Sequence, residues 1–195
     1  MDLILNELEN RFGVTNRDER RNDLSFATVG RQTAVEVITW LRDYAGFRHL
    51  VMISAVDYPE RDSIQLTYLL HNHQTRKDIG LRVVLDRREK TMDSIHHLWA
   101  GAQVYQRELR EMFGIDFPGS PGVDKPMILE GWREMPPMLK EFDTKKYSEE
   151  TYFPRPGRFT MEPQTVMENK LYPIETEVKN EIRSIVRDNR SNGGA

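Results

Sequence analysis

Residues 49–85 read HLVMISAVDYPERDSIQLTYLLHNHQTRKDIGLRVVL, and this stretch decides the fold class. His49 to Asp57 is nearly continuously apolar and suits a central strand. Pro59 to Asp62 makes a turn. In the next run Ile64, Leu66, Tyr68 and Leu70 recur at every second position, the period that lines one face of a strand. Asn72 to Lys77 turns the chain again, and Leu81, Val83 and Leu85 repeat the alternation from Ile79 onward. Three such runs joined by turns predict a meander.

Helical signals flank the meander. Upstream, Leu3, Leu5, Leu8 and Phe12 predict an amphipathic helix over 2–12, stopped at Gly13. Residues 24–29 alternate as a further strand, and Val35, Ile38 and Leu41 give Thr33 to Tyr44 a buried helical face. Downstream, Ser94 to Leu98 reads as a short helix capped by Asp93 or Ser94. A longer helix covers 102–112. Val104, Glu108 and Met112 share one of its sides, and Tyr105, Leu109 and Phe113 the adjacent one. The order of elements predicts an α+β domain over 1–116: a small mixed sheet with helices on one face.

At Phe117 the composition changes. Nine of the ten prolines fall between Pro118 and Pro173. That density opposes helix and central strand, so 117–173 reads as a long extended C-terminal tail. The tail holds Trp132, Phe142, Tyr152, Phe153 and Phe159, whereas disordered linkers are poor in aromatics. Apolar anchors on a proline-stiffened backbone favour a segment that wraps a partner; folding back on its own domain is the alternative. Ile174, Val178, Ile182 and Ile185 predict a terminal helix at 174–189, within a final segment of 174–195 that frays at its end.

Composition narrows the function. The chain of 195 residues has no cysteine, which excludes disulfides, thiolate iron–sulfur ligation and a cysteine nucleophile. Net charge is −3 with both signs interspersed, and no basic block marks a nucleic-acid groove. No apolar run approaches a bilayer span, and the N-terminus does not read as a signal peptide, so membrane association is expected through partners only.

The candidate chemistry is thin. His71 and His73 would share a strand face and offer two metal ligands, but a closed zinc site needs four. His96 and His97 are adjacent and diverge on a helix. Glu108 and Glu111 lie three apart and could form an acid/base pair if buried, but the flanking Arg107 and Arg110 favour ionised, charge-paired carboxylates. No phosphate loop, nucleophile elbow or metalloprotease motif is present. The residues alone give an α+β interaction domain with a tail.

A family resemblance sharpens this. Leu98, Trp99, Gly101, Tyr105, Arg107, Glu108, Glu111, Met112, Phe113, Gly114, Ile115, Phe117 and Gly119 match in order a family signature. The family they resemble is the 30-kilodalton, C-type subunit of complex I-type NADH-quinone oxidoreductases. The blocks 54–59, 128–132 and 137–142 are similar to further blocks of that family. Gln106 replaces an expected Glu, Ser120 an expected His, and 122–127 an Asp-Leu-Arg-Arg run. Relatives of this kind also occur in membrane-bound hydrogenases and in ferredoxin- or coenzyme F420-linked complexes.

The resemblance implies a scaffold subunit in the peripheral, quinone-reducing arm of an ion-translocating respiratory complex, with no catalytic residue, cofactor or metal of its own. Its partners would be the D-type subunit, which is the hydrogenase large-subunit homologue, and iron–sulfur subunits, at the cytoplasmic face of the membrane. It implies interface or signature roles for Trp99, Tyr105, Arg107, Glu108, Glu111, Met112, Phe113, Gly114 and Phe117. Arg107 and Glu108 would pair with charges on the domain or on the D-type partner. Met112, Phe113 and Phe117 would anchor the chain where domain becomes tail, and Gly114 would allow the sharp exit from the helix.

Overall fold

The computed structural model describes residues 2–151; the terminal helix expected at 174–189 lies outside the described residues, as does the tail beyond 151. The elements run α1 (Asp2–Phe12), β1 (Thr15–Arg21), β2 (Leu24–Val29), α2 (Ala34–Asp43), β3 (His49–Tyr58), a short 3-10 turn (Pro59–Arg61), β4 (Ser63–Asn72), β5 (Lys77–Asp86), α3 (Ala102–Phe113) and α4 (Thr144–Thr151). The five strands form one sheet in the order β1-β2-β5-β4-β3. Only β2 and β5 run parallel; the remaining neighbours are antiparallel, so the sheet is mixed and the fold is α+β.

The alternation read from the sequence sets the layers. Ile64, Leu66, Tyr68 and Leu70 of β4 are fully buried, as are Ile79, Leu81 and Val83 of β5, directly across from them. Leu5 and Leu8 of α1, Val37, Ile38 and Leu41 of α2, and Ala102, Leu109 and Phe113 of α3 join the same apolar cluster. Fully burying side chains of this size contributes about 1.5–3 kcal/mol each. The opposite sheet face carries Gln65, Thr67, Arg82 and Val84, which are half-buried or exposed. On it Phe26 lies over Gly80, where a Cβ would meet the ring at 2.2 Å, and the Arg82 guanidinium lies 4.3 Å from that ring's centre.

One strand lies where the sequence reading placed no element, and three expectations are corrected. β1 is a strand although its sequence, TNRDERR, has no apolar alternation; it is an outer strand exposed almost throughout, held by its ladder to β2. β3 is an edge strand, not a central one. Its long apolar run reflects one face on the core and an edge covered by α3, where the Tyr105 hydroxyl donates to the carbonyl of Val51 at 2.8 Å. Val51 falls at the break in the β3–β4 register. Residues 94–98 form a turn, not a helix, with Leu98 and Trp99 N–H both directed to the Ile95 carbonyl. Lastly, residues 144–151 are helical inside the stretch expected to be extended. No proline occurs between Pro137 and Pro154, so nothing bars a helix there, and Lys145–Glu149 and Lys146–Glu150 pair along it.

The compact unit that holds the sheet spans Met1–Asp143, and a second unit begins at Thr144. Residue 116 is not marked by a break in packing: Ile115 and Phe117 are both fully buried.

Candidate docking surface

Helix α3 and the strand-free segment after it hold the residues singled out by the signature. α3 stops at Gly114, which takes φ +73° and returns its N–H to the Arg110 carbonyl at 3.0 Å. A left-handed residue at this position closes the helix cheaply only as glycine. Space is tight there as well, since a Cβ would lie 3.1 Å from Pro136. The chain then doubles back: Asp116 bridges to Thr91, and Ile115 and Phe117 enter the core.

Two opposite charges one helical turn apart grip the returning segment. Arg107 donates to the carbonyls of Lys125, at 3.2 Å, and Pro126, at 2.9 Å. Glu111 accepts the N–H groups of Met127 at 2.9 Å, Ile128 at 3.0 Å and Leu129 at 3.0 Å. The cation thus takes carbonyls and the anion takes amides, each charge meeting the backbone dipole it attracts. Burial pushes the Glu111 carboxyl upward, but the three amides and nearby Arg107 outweigh it and hold the group below the usual glutamate range. Arg110, on the same helix, reaches Asp116 at 3.4 Å and Asp124 at 3.3 Å.

A second clasp binds the end of the segment to the sheet. Arg87 meets both oxygens of Asp57, at 2.7 and 2.9 Å, and reaches Glu141 at 2.6 Å. The Lys140 N–H donates to Asp57 at 2.9 Å. Asp57 is 1% exposed at its side chain and Arg87 13%. Burial alone would raise the Asp57 carboxyl; the Arg87 and Lys140 donors overcome that and hold it low. Lys90 is pushed down by burial and by Arg87, and donates to the Phe113 carbonyl at 3.3 Å.

Most of the remaining signature residues also face inward. The Trp99 indole donates to the Arg48 carbonyl at 2.8 Å, with the Arg42 guanidinium 5.8 Å from its ring centre. Phe113 and Phe117 are buried, and Met112 is partly buried against the core while its carbonyl accepts the Met138 N–H at 3.0 Å. Gln106 is fully buried and accepts from the Ser94 hydroxyl at 2.8 Å. Glu108 stands apart from these. It is exposed on α3 and takes no hydrogen bond or ion pair among the described residues.

Glu108 and Glu111 therefore do not form an acid/base pair: one is exposed and the other is fully used on backbone amides. His71 meets Asp78 at 2.8 Å and lies beside His49 and His73. Among the described residues no three His, Asp or Glu side chains are arranged to hold a metal ion, and no helix is long and apolar enough to cross a membrane. The Asp57–Arg87–Glu141 clasp was missed by sequence reasoning. Asp57 lies in a signature block, but nothing in the sequence links it to Arg87, thirty residues on.

Residues 27–148 match the family described as the respiratory-chain NADH dehydrogenase 30 Kd subunit. The C-type subunit of the NADH-quinone oxidoreductase of Moorella thermoacetica is 31% identical over 125 residues, 64% of this chain and 84% of the relative. A fused C/D polypeptide of the NADH-quinone oxidoreductase of Pseudomonas fluorescens is 28% identical over 156 residues, 74% of this chain and 26% of that longer protein. Among solved structures, a chain of the membrane-bound sulfane sulfur reductase, an archaeal respiratory membrane complex, superposes with a TM-score of 0.73 at 22% identity, covering 83% of this chain and 95% of the other.

Proposed function

Since the chain belongs to the respiratory-chain NADH dehydrogenase 30-kilodalton subunit family, we propose that it is the non-catalytic scaffold subunit of a complex I-like oxidoreductase. One observation supports the scaffold role: four signature side chains, Trp99, Tyr105, Arg107 and Glu111, spend hydrogen bonds on this chain's own backbone. Arg107 takes the carbonyls of 125–126, Glu111 the amides of 127–129, Trp99 and Tyr105 the carbonyls of Arg48 and Val51. What they build is a fixed shape.

In this reading the chain sits peripherally at the cytoplasmic face of the membrane, held there by partners. Its neighbours are a D-type polypeptide and iron–sulfur subunits, and electrons reach quinone through those neighbours while ions are moved by the whole complex. The existence of a fused C/D polypeptide supports the D-type neighbour, because fusion favours domains that work side by side. The sequence beyond residue 143, with Tyr152, Phe153 and Phe159, supplies further apolar anchors for it.

The test is affinity purification of the tagged full-length chain from native membranes, with the copurifying polypeptides identified and electron transfer assayed. The reading expects a D-type polypeptide and iron–sulfur subunits in fixed ratio, with oxidoreductase activity that follows the assembly. Recovery of the chain alone, or activity in the chain stripped of partners, contradicts it.

A further inference from the structure

We propose that His49, His71 and His73, gathered at one end of the open sheet face, form a binding site for a single zinc-class divalent cation, with Asp78 orienting His71. The inference stands on side-chain placement and does not depend on the scaffold reading above.

The sheet register brings these residues together. His49 of β3 lies directly across from His71 of β4, and His71 lies across from Asp78 of β5. Directly opposed residues put their side chains on the same face. His71 alternates in step with Gln65 and Thr67, so the row sits on the face turned away from the helices. His73 follows His71 by two, just past the end of β4. Its turn is fixed. The Asn72 side-chain oxygen accepts the N–H groups of Gln74 at 2.9 Å and Thr75 at 3.1 Å, and the Asn72 amide donates to the Ala45 carbonyl at 3.0 Å. Spacing along the chain offered His71 and His73 as two ligands; strand pairing supplies His49 as the third.

The ring centres are 4.7 Å apart for His71 and His73, 5.3 Å for His49 and His73, and 6.5 Å for His49 and His71. Three imidazoles on one tetrahedral ion, with metal–nitrogen bonds of about 2.0–2.1 Å, place their ring centres about 5 Å apart. The observed spacings bracket that value. As placed, the rings pack edge to face or tilted and do not aim at one point, so closing the site requires rotation of the rings. His49 and His73 are exposed, and an exposed side chain changes rotamer readily. His71 is already set. Its Nδ1–H donates to the Asp78 carboxylate at 2.8 Å, which leaves the Nε2 lone pair for a metal. A carboxylate behind a ligating imidazole fixes its tautomer and raises its basicity. Imidazoles suit zinc, nickel, cobalt or copper, whereas magnesium and calcium prefer oxygen ligands. Three protein ligands leave the fourth position to water. The ion would tie the edge strand β3 to β4 and to the turn that follows it.

The test uses the full-length chain without a histidine tag, with zinc ion as the probe in isothermal titration calorimetry and cobalt(II) ion in visible absorption. One ion per chain is expected, with the intense visible bands of four-coordinate cobalt(II) and a thermal midpoint that rises with zinc concentration. His49→Ala and His73→Ala should each weaken binding by at least about tenfold, and Asp78→Ala by about tenfold. The double variant His96→Ala/His97→Ala removes the two remaining histidines of the chain and should leave binding unchanged. If His49→Ala lowers the metal-free thermal midpoint, His73→Ala, in an exposed turn, decides alone. No binding overturns the site, as do the weak bands of six-coordinate cobalt(II). Unaltered affinity in His73→Ala, or binding lost in the His96→Ala/His97→Ala variant, places the ion elsewhere and overturns it equally.

Discussion

Replacing Arg87 with Ala tests how the segment after α3 is fixed to the sheet. Arg87 holds both oxygens of Asp57 and one of Glu141, and Asp57 also accepts the Lys140 N–H. With the Asp57 side chain 1% exposed, the substitution strands a carboxylate out of water. Removing one partner of a buried pair costs about 3–5 kcal/mol. Arg87 keeps some access to water and Asp57 keeps the Lys140 amide, so the lower figure, about 3 kcal/mol, applies here. For a unit of this size each kcal/mol moves the thermal midpoint by roughly 2–4 °C, which gives a fall of about 6–12 °C. Differential scanning calorimetry of the full-length chain would read it. The double variant Asp57→Leu/Arg87→Met should lose less than Arg87→Ala alone, because no charge is stranded. A midpoint within about 1 °C of the unaltered chain for Arg87→Ala would refute the reasoning, for a loss that small is the range of exposed ion pairs.

Three further outcomes are expected. Glu111→Ala removes the acceptor of three amides, each worth about 0.5–1.5 kcal/mol and here partly open to water, so the amides of 127–129 should exchange roughly tenfold faster or more in hydrogen exchange, while those of β4 stay protected. Gly114→Ala places a side chain at φ +73° against Pro136 and should cost about 1–2 kcal/mol, seen as a lower denaturation midpoint in urea. For pH, Asp57 and Glu111 are both held below their unfolded values, so their contribution is complete above about pH 5 and drains as pH falls through the folded values. An acid titration of stability should show that loss, and Asp57→Asn should flatten it.

The meander was legible because β4 and β5 each put apolar residues at alternate positions and bury one face only. What the alternation could not give was lateral order. His49 to Asp57 is apolar enough for the middle of a sheet, yet β3 lies at the edge, because α3 supplies the cover that water would otherwise provide. β1 had no alternation to read; its partner is a neighbouring backbone, and ladder bonds leave no trace in side-chain pattern. On α3 the spacing grouped Tyr105, Leu109 and Phe113 on one side without saying which side meets the core; Leu109 and Phe113 are buried, and Gln106 is buried with them. The roles of Arg107 and Glu111 were hidden for a related reason. Their partners are main-chain carbonyls and amides, which every residue offers, so no partner could be picked out along the sequence.

If the signature is architecture, Arg107→Ala addresses that most directly. Native membranes carrying the variant would be quantified for assembled complex and for electron-transfer turnover per assembled complex. Less complex is expected, because the grip on 125–126 is lost, with turnover per complex unchanged. A normal amount of complex with reduced turnover would contradict the scaffold role and would place Arg107 in the chemistry.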